Sequence, residues 1–247
     1  MNTTETLQQI NLLKLKGMSS AYQAQLELPM DQQLDAHEMV GQLVQSELTS
    51  RVNERTTYYL KLAKLRIPAT PEQIKCSSAR NFTKQQLAIL LEGAFIKQGQ
   101  SILITGPTGC GKSFLACALA HYTCQTGYRT QYFNMTRFIE KVTLSKLDGS
   151  YLRFLSFLER TPLIILDDFG LQPLDQNTRL TILQLLEDRY AKKSLIITSQ
   201  LPVNKWYEFI NDPTLADAIM DRLTSRAIRI DLKGESLRKN ELITDKM

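Results

Sequence analysis

Up to about Pro68 the apolar positions recur at helical spacings and nowhere form a strand-like run: Leu7, Ile10 and Leu13 first, then Leu34, Val40, Leu43, Val44, Leu48 and Val52. Residues three and four apart share a helix face, so this spacing predicts helices with one buried stripe. The Gly17-Met18-Ser19-Ser20 stretch is expected to break the first helical pattern and Pro29 to end the second. Arg66-Ile67-Pro68-Ala69-Thr70-Pro71 reads as a stop with a connector beyond it. The pattern predicts a small all-helical N-terminal domain over residues 1–70, a boundary near 68–78 and a second domain over 78–247.

From Phe82 onward the period changes. Ile102–Thr105, Thr130–Asn134, Leu163–Asp167, Leu195–Thr198 and Ile228–Leu232 are short apolar runs separated by helical patterns. Such alternation predicts an α/β fold whose mostly parallel sheet is covered on both faces. Pro162 precedes the third run and opens it rather than interrupting it. There is no internal repeat and no low-complexity segment.

The first of these runs leads into Gly106-Pro107-Thr108-Gly109-Cys110-Gly111-Lys112-Ser113, which satisfies every fixed position of the G-x-x-x-x-G-K-[ST] phosphate loop. Glycines let successive backbone N–H groups face phosphates, and the helix that starts behind them, through Phe114, favours negative charge at its N-terminus. Lys112 is expected to reach the β- and γ-phosphates, and Ser113 to offer its hydroxyl to Mg²⁺. A nucleoside triphosphate, ATP with Mg²⁺, is the predicted ligand.

The third run ends in Asp167-Asp168, 55 positions after Lys112, the pattern of a Walker B element. Asp167 is expected to act on the Mg²⁺ shell, and Asp168 to orient or polarise a water for γ-phosphate cleavage. The fourth run ends in Thr198-Ser199-Gln200. Any of the three could hold that water or report hydrolysis, and Gln200 is favoured.

Composition narrows the setting without deciding the function. The 247 residues are 43% hydrophobic and 22% charged, ordinary for a globular protein. The net charge of +5 and the isoelectric point near 9.0 tilt modestly toward polyanionic partners. No apolar stretch approaches the roughly 20 residues that span a bilayer, and the polar start Met1-Asn-Thr-Thr-Glu-Thr6 has no secretory pattern. No membrane association and a cytoplasmic location are expected. Cys76, Cys110, Cys117 and Cys124 form no C-x-x-C pair and read as reduced thiols. His37 and His121 stand apart from any ligand spacing.

Several elements together carry a family resemblance: the phosphate loop, Asp167-Asp168-Phe169-Gly170, Thr198-Ser-Gln-Leu-Pro202, Trp206, Asp221-Arg-Leu223 and Leu232-Lys-Gly-Glu-Ser-Leu-Arg238. With the opening Leu12-Leu-Lys-Leu-Lys-Gly-Met18, the chain resembles along nearly its whole length the IstB family, AAA+ P-loop ATPases related to DnaC-type helicase loaders. The resemblance implies an AAA+ core and a slow, assembly-dependent ATPase of IS21-type transposition. It implies a homo-oligomer on target DNA with ATP sites between subunits, which recruits and stimulates the transposase and disassembles on hydrolysis. Arg222, in the Asp-Arg-Leu motif, would be an arginine finger acting on a neighbouring subunit, with Arg226 and Arg229 as competitors and Arg238 as a second sensor. The chain departs from the pattern at Asp168, where many AAA+ proteins have Glu, and at Ile228, where the family more often has His. The shorter Asp168 side chain implies slow hydrolysis and a switch-like use of ATP.

Duplex DNA bound largely without sequence preference is the expected polyanion, because no base-reading motif occurs. Two basic stretches are candidates: Arg51, Arg55, Lys61, Lys64 and Arg66, with Tyr58 and Tyr59 among them, and Lys141, Lys146 and Arg153. The rival readings are a replicative helicase loader and a nucleotide-gated scaffold that hydrolyses nothing. A metabolic P-loop kinase leaves the Asp-Arg-Leu and Gly-Glu-Ser-Leu-Arg elements unexplained.

Overall fold

The computed structural model describes residues 2–237. Contacts divide the chain into Met1–Tyr58 and Tyr59–Met247, and the division falls inside a long helix.

The first unit contains α1 (Thr3–Leu12), α2 (Lys16–Leu26) and the greater part of α3 (Ala36–Ala63). The Asn2 side chain accepts from the Thr4 N–H and Glu5 reaches back to the Asn2 N–H, so α1 starts with a capping box. The break after α1 lies at Lys14, whose φ is +58°, and not at Gly17–Ser20, which sit inside α2. Gly17 is there for packing rather than for turning. A Cβ on it would lie 2.3 Å from the Ser46 carbonyl oxygen of α3. The close approach lets the buried Glu47 carboxylate accept from the Gly17 N–H at 2.8 Å and the Met18 N–H at 3.3 Å. The hydrogen bond from Arg51 holds the Glu47 carboxyl below its ordinary range, against the opposing effect of burial.

The second unit carries a five-stranded parallel sheet in the order β2-β3-β4-β1-β5. The strands are β1 (Ile102–Thr105), β2 (Thr130–Asn134), β3 (Leu163–Phe169), β4 (Ser194–Ser199) and β5 (Ile228–Asp231), on the five predicted runs. The runs are continuous rather than alternating because helices cover both faces. The other helices are α4 (Lys84–Leu91), α5 (Ala94–Lys97), α6 (Lys112–Gln125), α7 (Met135–Leu147), α8 (Tyr151–Arg160), α9 (Gln176–Arg189), α10 (Trp206–Ile210) and α11 (Pro213–Thr224). One core packs Ile102, Ile104, Ile165 and Ile196 against α4 and α6. The other packs Leu103, Ile164, Leu166 and Ile197 against α7 to α11.

The register of β3 against β4 slips between Leu166 and Phe169, so one extra residue bulges from β3. Bulges re-aim side chains, and this one lies at the predicted hydrolytic carboxylate. At the opposite end of the sheet the buried Arg189 donates to the carbonyl oxygens of Leu158, Thr161, Pro162 and Ser194. Burial pushes its guanidinium down to about 10, so it keeps its charge at neutral pH while tying α8, β3 and β4 together. The four cysteines are free, and burial raises the Cys117 thiol to about 11. Among the described residues no helix is long and apolar enough to cross a membrane.

Candidate functional site

The loops after β1, β3 and β4 meet at the C-terminal edge of the sheet, where open parallel sheets bind their ligands. Gly106, Gly109 and Gly111 all have positive φ, at +144°, +83° and +93°. A Cβ on Gly106 would stand 2.2 Å from the Leu232 carbonyl oxygen, and one on Gly109 would meet Ser236. The tail beyond β5 therefore lies against the loop, and the Leu237 N–H donates to the Gly109 carbonyl at 3.0 Å. Arg238 lies outside the described residues.

Gly111 is the N-cap of α6 and offers no capping side chain, so among the described residues no side chain caps the first N–H groups of Lys112, Ser113 and Phe114. Pro107, Thr108 and Cys110 complete the turn, and Arg80 Nη2 braces it from outside through the Cys110 carbonyl at 2.7 Å. Lys112 is nearly buried, and its ammonium donates to the Gly106 and Pro107 carbonyls at 2.8 Å each. This cradle of turned glycines, an uncapped helix N-terminus and one lysine fits a polyphosphate.

Asp167 is fully buried and acts as the hub of the site. Its Oδ1 accepts from Ser113 Oγ at 2.8 Å and from Thr198 Oγ1, and its Oδ2 accepts from the Tyr132 hydroxyl at 2.5 Å. Burial, and then the hydrogen bond to Asp167, push the Tyr132 phenol well above its ordinary range, so it stays a donor. Ser113 and Asp167 thus bring two hard oxygen ligands side by side. Among the described residues no three His, Cys, Asp or Glu side chains cluster as a metal cage. Mg²⁺ suits such a site, since it keeps waters and phosphate oxygens around one or two protein ligands.

Adjacent residues of a regular strand point to opposite faces, yet Arg66 Nη1 lies 3.6 Å from Asp167 Oδ2 and 3.1 Å from Asp168 Oδ2. The bulge explains it. Asp168 has φ +65°, and its N–H donates to Thr198 Oγ1 at 3.0 Å. Left-handed backbone at a non-glycine residue costs roughly 1–2 kcal/mol and collects at functional sites. Asn134 Nδ2 donates to the same Asp168 Oδ2 at 2.9 Å. Burial opposes the charge on Arg66, but the Tyr132 oxygen and the charges of Asp168 and Asp167 hold its guanidinium above the ordinary value.

The three residues at the end of β4 divide the work. Thr198 joins both aspartates, Ser199 Oγ donates to the Phe169 carbonyl at 2.6 Å, and Gln200 Oε1 accepts from Thr108 Oγ1 of the phosphate loop at 2.7 Å. Tyr132, Asn134, Arg66 and Arg80 are site residues that the sequence motifs do not single out. The first two were within reach, because parallel pairing aligns Asn134 with Asp167.

Arg222 lies elsewhere. It donates to Glu187 Oε1 and to the Ala218 carbonyl, both at 2.9 Å. Together with Arg226 it neighbours Gly99, Ser101, Lys193 and Leu195, at the N-terminal ends of β1 and β4. That is the sheet edge opposite the phosphate loop. Arg229 stands on β5 beside Leu103 and is exposed.

The basic candidates also separate. Lys64 has φ +51° just past the end of α3, and it lines an open cleft of about 820 Å³ with Arg137, Lys141 and Arg153. Tyr132, Phe133, Phe154 and Phe157 supply the apolar wall. Lys146 is directed to Asn177 and the Tyr151 ring. Lys61 is exposed on the last turn of α3. In the first unit, Arg55 is exposed and Arg51 is paired with Glu47.

The sheet agrees with what known proteins show. The family model described as IstB-like ATP binding protein matches residues 8–244. The protein y4pL of Sinorhizobium fredii (strain NBRC 101917 / NGR234), named as an insertion sequence ATP-binding protein, is 41% identical over 236 residues, covering 96% of each chain. A similarly named protein of insertion sequence IS1162 from Pseudomonas fluorescens is 38% identical over 82% of this chain and 88% of its own. In structure, the DnaC helicase loader superposes with a TM-score of 0.58 at 21% identity, covering 69% of this chain and all of the loader's, which makes the fold that of the AAA+ P-loop proteins. The chain belongs to the IstB-like ATP-binding protein family.

Proposed function

We propose that the protein is an ATP-dependent DNA-binding helper of IS21-type transposition, which oligomerises on target DNA with ATP, recruits and stimulates the transposase, and disassembles when ATP is hydrolysed. The observation that carries this reading is the constellation at the sheet edge: phosphate cradle, Ser113–Asp167 oxygen pair and a second carboxylate re-aimed by a bulge beside it. The insertion-sequence names of the relatives favour it over a helicase loader, whose likeness extends to the fold.

ATP and Mg²⁺ supply the γ-phosphoryl group and the cation that offsets its charge. The loop N–H groups and Lys112 hold the triphosphate, and Ser113 and Asp167 hold the Mg²⁺ shell. Asp168 would orient a water whose oxygen bonds to the γ-phosphorus while the bond from that phosphorus to the β–γ bridging oxygen breaks, giving ADP, phosphate and a proton released to solvent. Thr198 fixes both aspartates, and Gln200, through Thr108, couples the end of β4 to the loop.

Arg222 stands at the sheet edge away from the chain's own phosphate loop, which supports a role on a neighbouring subunit's nucleotide. The cleft holding Lys64, Lys141 and Arg153 supports backbone contact with duplex DNA, whose affinity falls steeply with salt. Lys61 and Lys146 of the second unit, and Arg51 and Arg55 of the first, are further candidates for phosphate contact in this reading.

Arg222→Ala tests the composite site. It should leave ATP binding to the isolated protein unchanged while DNA-stimulated hydrolysis falls by roughly a thousandfold or more, the scale of a lost arginine finger. Undiminished turnover would remove Arg222 from the site and pass the role to Arg226 or Arg229.

A further inference from the structure

We propose that the protein binds one small inorganic anion, of the size and charge of chloride, in a cavity between β4, α9 and α11 at the N-terminal edge of the sheet. The cavity measures about 20 Å³, and Arg189, Lys193, Arg222 and Arg226 all stand in its wall. Two tight turns complete it. Gly99 and Ala191 have φ of +60° and +55°, and a Cβ on Gly99 would lie 2.7 Å from the Ala191 carbonyl carbon, so the turns pack backbone against backbone.

The donors of Arg189 carry the inference. A guanidinium has five N–H groups and accepts nothing. Nη1 gives its pair to the carbonyls of Leu158 and Thr161, and Nη2 gives its pair to those of Pro162 and Ser194. The remaining N–H, on Nε, is buried and has no acceptor among the described residues. A buried donor left unpaired is costly, and more so on a charged group.

The neighbouring cations cannot repair this, because Lys193, Arg222 and Arg226 are also donors only. Their charges gather on one small volume. Glu187 offsets Arg222 at 2.9 Å and Glu159 acts on Lys193, which still leaves positive charge in excess. Burial, and then the charge of Arg189, hold the Lys193 ammonium below its ordinary range against the pull of Glu159. A water would satisfy Nε but bring hydrogens of its own that need acceptors, and the charged side chains offer none. An anion accepts from Nε and relieves the repulsion at once. The volume takes an occupant of water size or slightly more and excludes a tetrahedral oxyanion, which selects a halide.

The place in the fold gives the ion a structural role. Arg189 ties α8, β3 and β4 together, Lys193 leads into β4, and Arg226 follows α11. The bound ion therefore holds α11, the helix that carries Arg222, against the start of β4.

The test is thermal unfolding of the full-length protein without nucleotide, at fixed pH and ionic strength, as potassium chloride replaces potassium methanesulfonate, whose anion is too large for the cavity. Wild type should gain about 2–4 °C in Tm as chloride rises to several times its Kd, and the gain should saturate. Lys193→Met/Arg226→Met, which spares Arg189, should lose that gain. In methanesulfonate alone this variant should melt no lower than wild type, because it removes two repelling cations. Bromide soaked into wild-type crystals should give an anomalous peak beside Arg189 Nε. Parallel chloride curves for the two proteins overturn the proposal, and a bromide peak would then mark an adventitious ion only. A variant that melts below wild type in methanesulfonate contradicts the excess of charge on which the site stands, and a chloride gain with no bromide in the cavity places the anion elsewhere; either result overturns the proposal as well.

Discussion

Replacing Lys112 with alanine should weaken ATP binding by roughly a hundredfold or more, because the ammonium is expected to give the β- and γ-phosphates charge-assisted hydrogen bonds of about 1.5–3 kcal/mol each. The ammonium is nearly buried, held by the carbonyls of Gly106 and Pro107 at the mouth of the loop. A triphosphate is the partner that justifies confining a cation there. The turned glycines and the start of α6 are set by the backbone, so the variant should still fold, losing the two bonds that the ammonium gives to the Gly106 and Pro107 carbonyls. Fluorescence titration with a labelled ATP analogue reads the affinity, and the same preparation on duplex DNA should show no ATP-dependent assembly. Binding within a few fold of wild type would mean that Lys112 does not contact the nucleotide.

Asp168→Asn should separate binding from hydrolysis. Removing a carboxylate that orients a water in the transition state costs about 10²–10⁴ in rate, while the cradle and the Ser113–Asp167 pair remain intact. Asparagine tolerates the left-handed backbone found here, φ +65°, better than most residues. The bulge should therefore survive the change. ATP affinity should stay within a few fold of wild type, single-turnover hydrolysis should fall by at least the lower of those factors, and assemblies on DNA should persist after ATP is added. Wild-type turnover and wild-type disassembly in this variant would remove Asp168 from the chemistry.

Much of the architecture was legible because it depends on local pattern. Strands buried on both faces must be apolar throughout, so Leu163–Leu166 and Leu195–Ile197 declared themselves. The phosphate loop did so too, since its glycines answer a backbone requirement visible at their own positions. Gly17 misled for the complementary reason: a glycine signals a break when judged locally, but here a partner helix needs the missing Cβ.

The parts of the site that escaped are non-local. The turn of Asp168 arises from a bulge against β4, which no feature of Leu163–Phe169 announces. Arg66 reads as one more cation in a basic stretch, and only the fold shows that it faces two carboxylates. Lys64 likewise gains meaning when the end of α3 brings it to the same cleft as Lys141 and Arg153. Tyr132 and Asn134 lay between these extremes, recoverable once β2 and β3 are paired.

The central claim is that ATP switches assembly on DNA. The most direct measurement is the size distribution of the protein on duplex DNA at one moderate salt concentration, with ATP, with ADP and without nucleotide. The account predicts large complexes with ATP that dissolve as ATP is consumed, and small species with ADP or with none. The same small species under all three conditions, or large complexes indifferent to nucleotide, would contradict it.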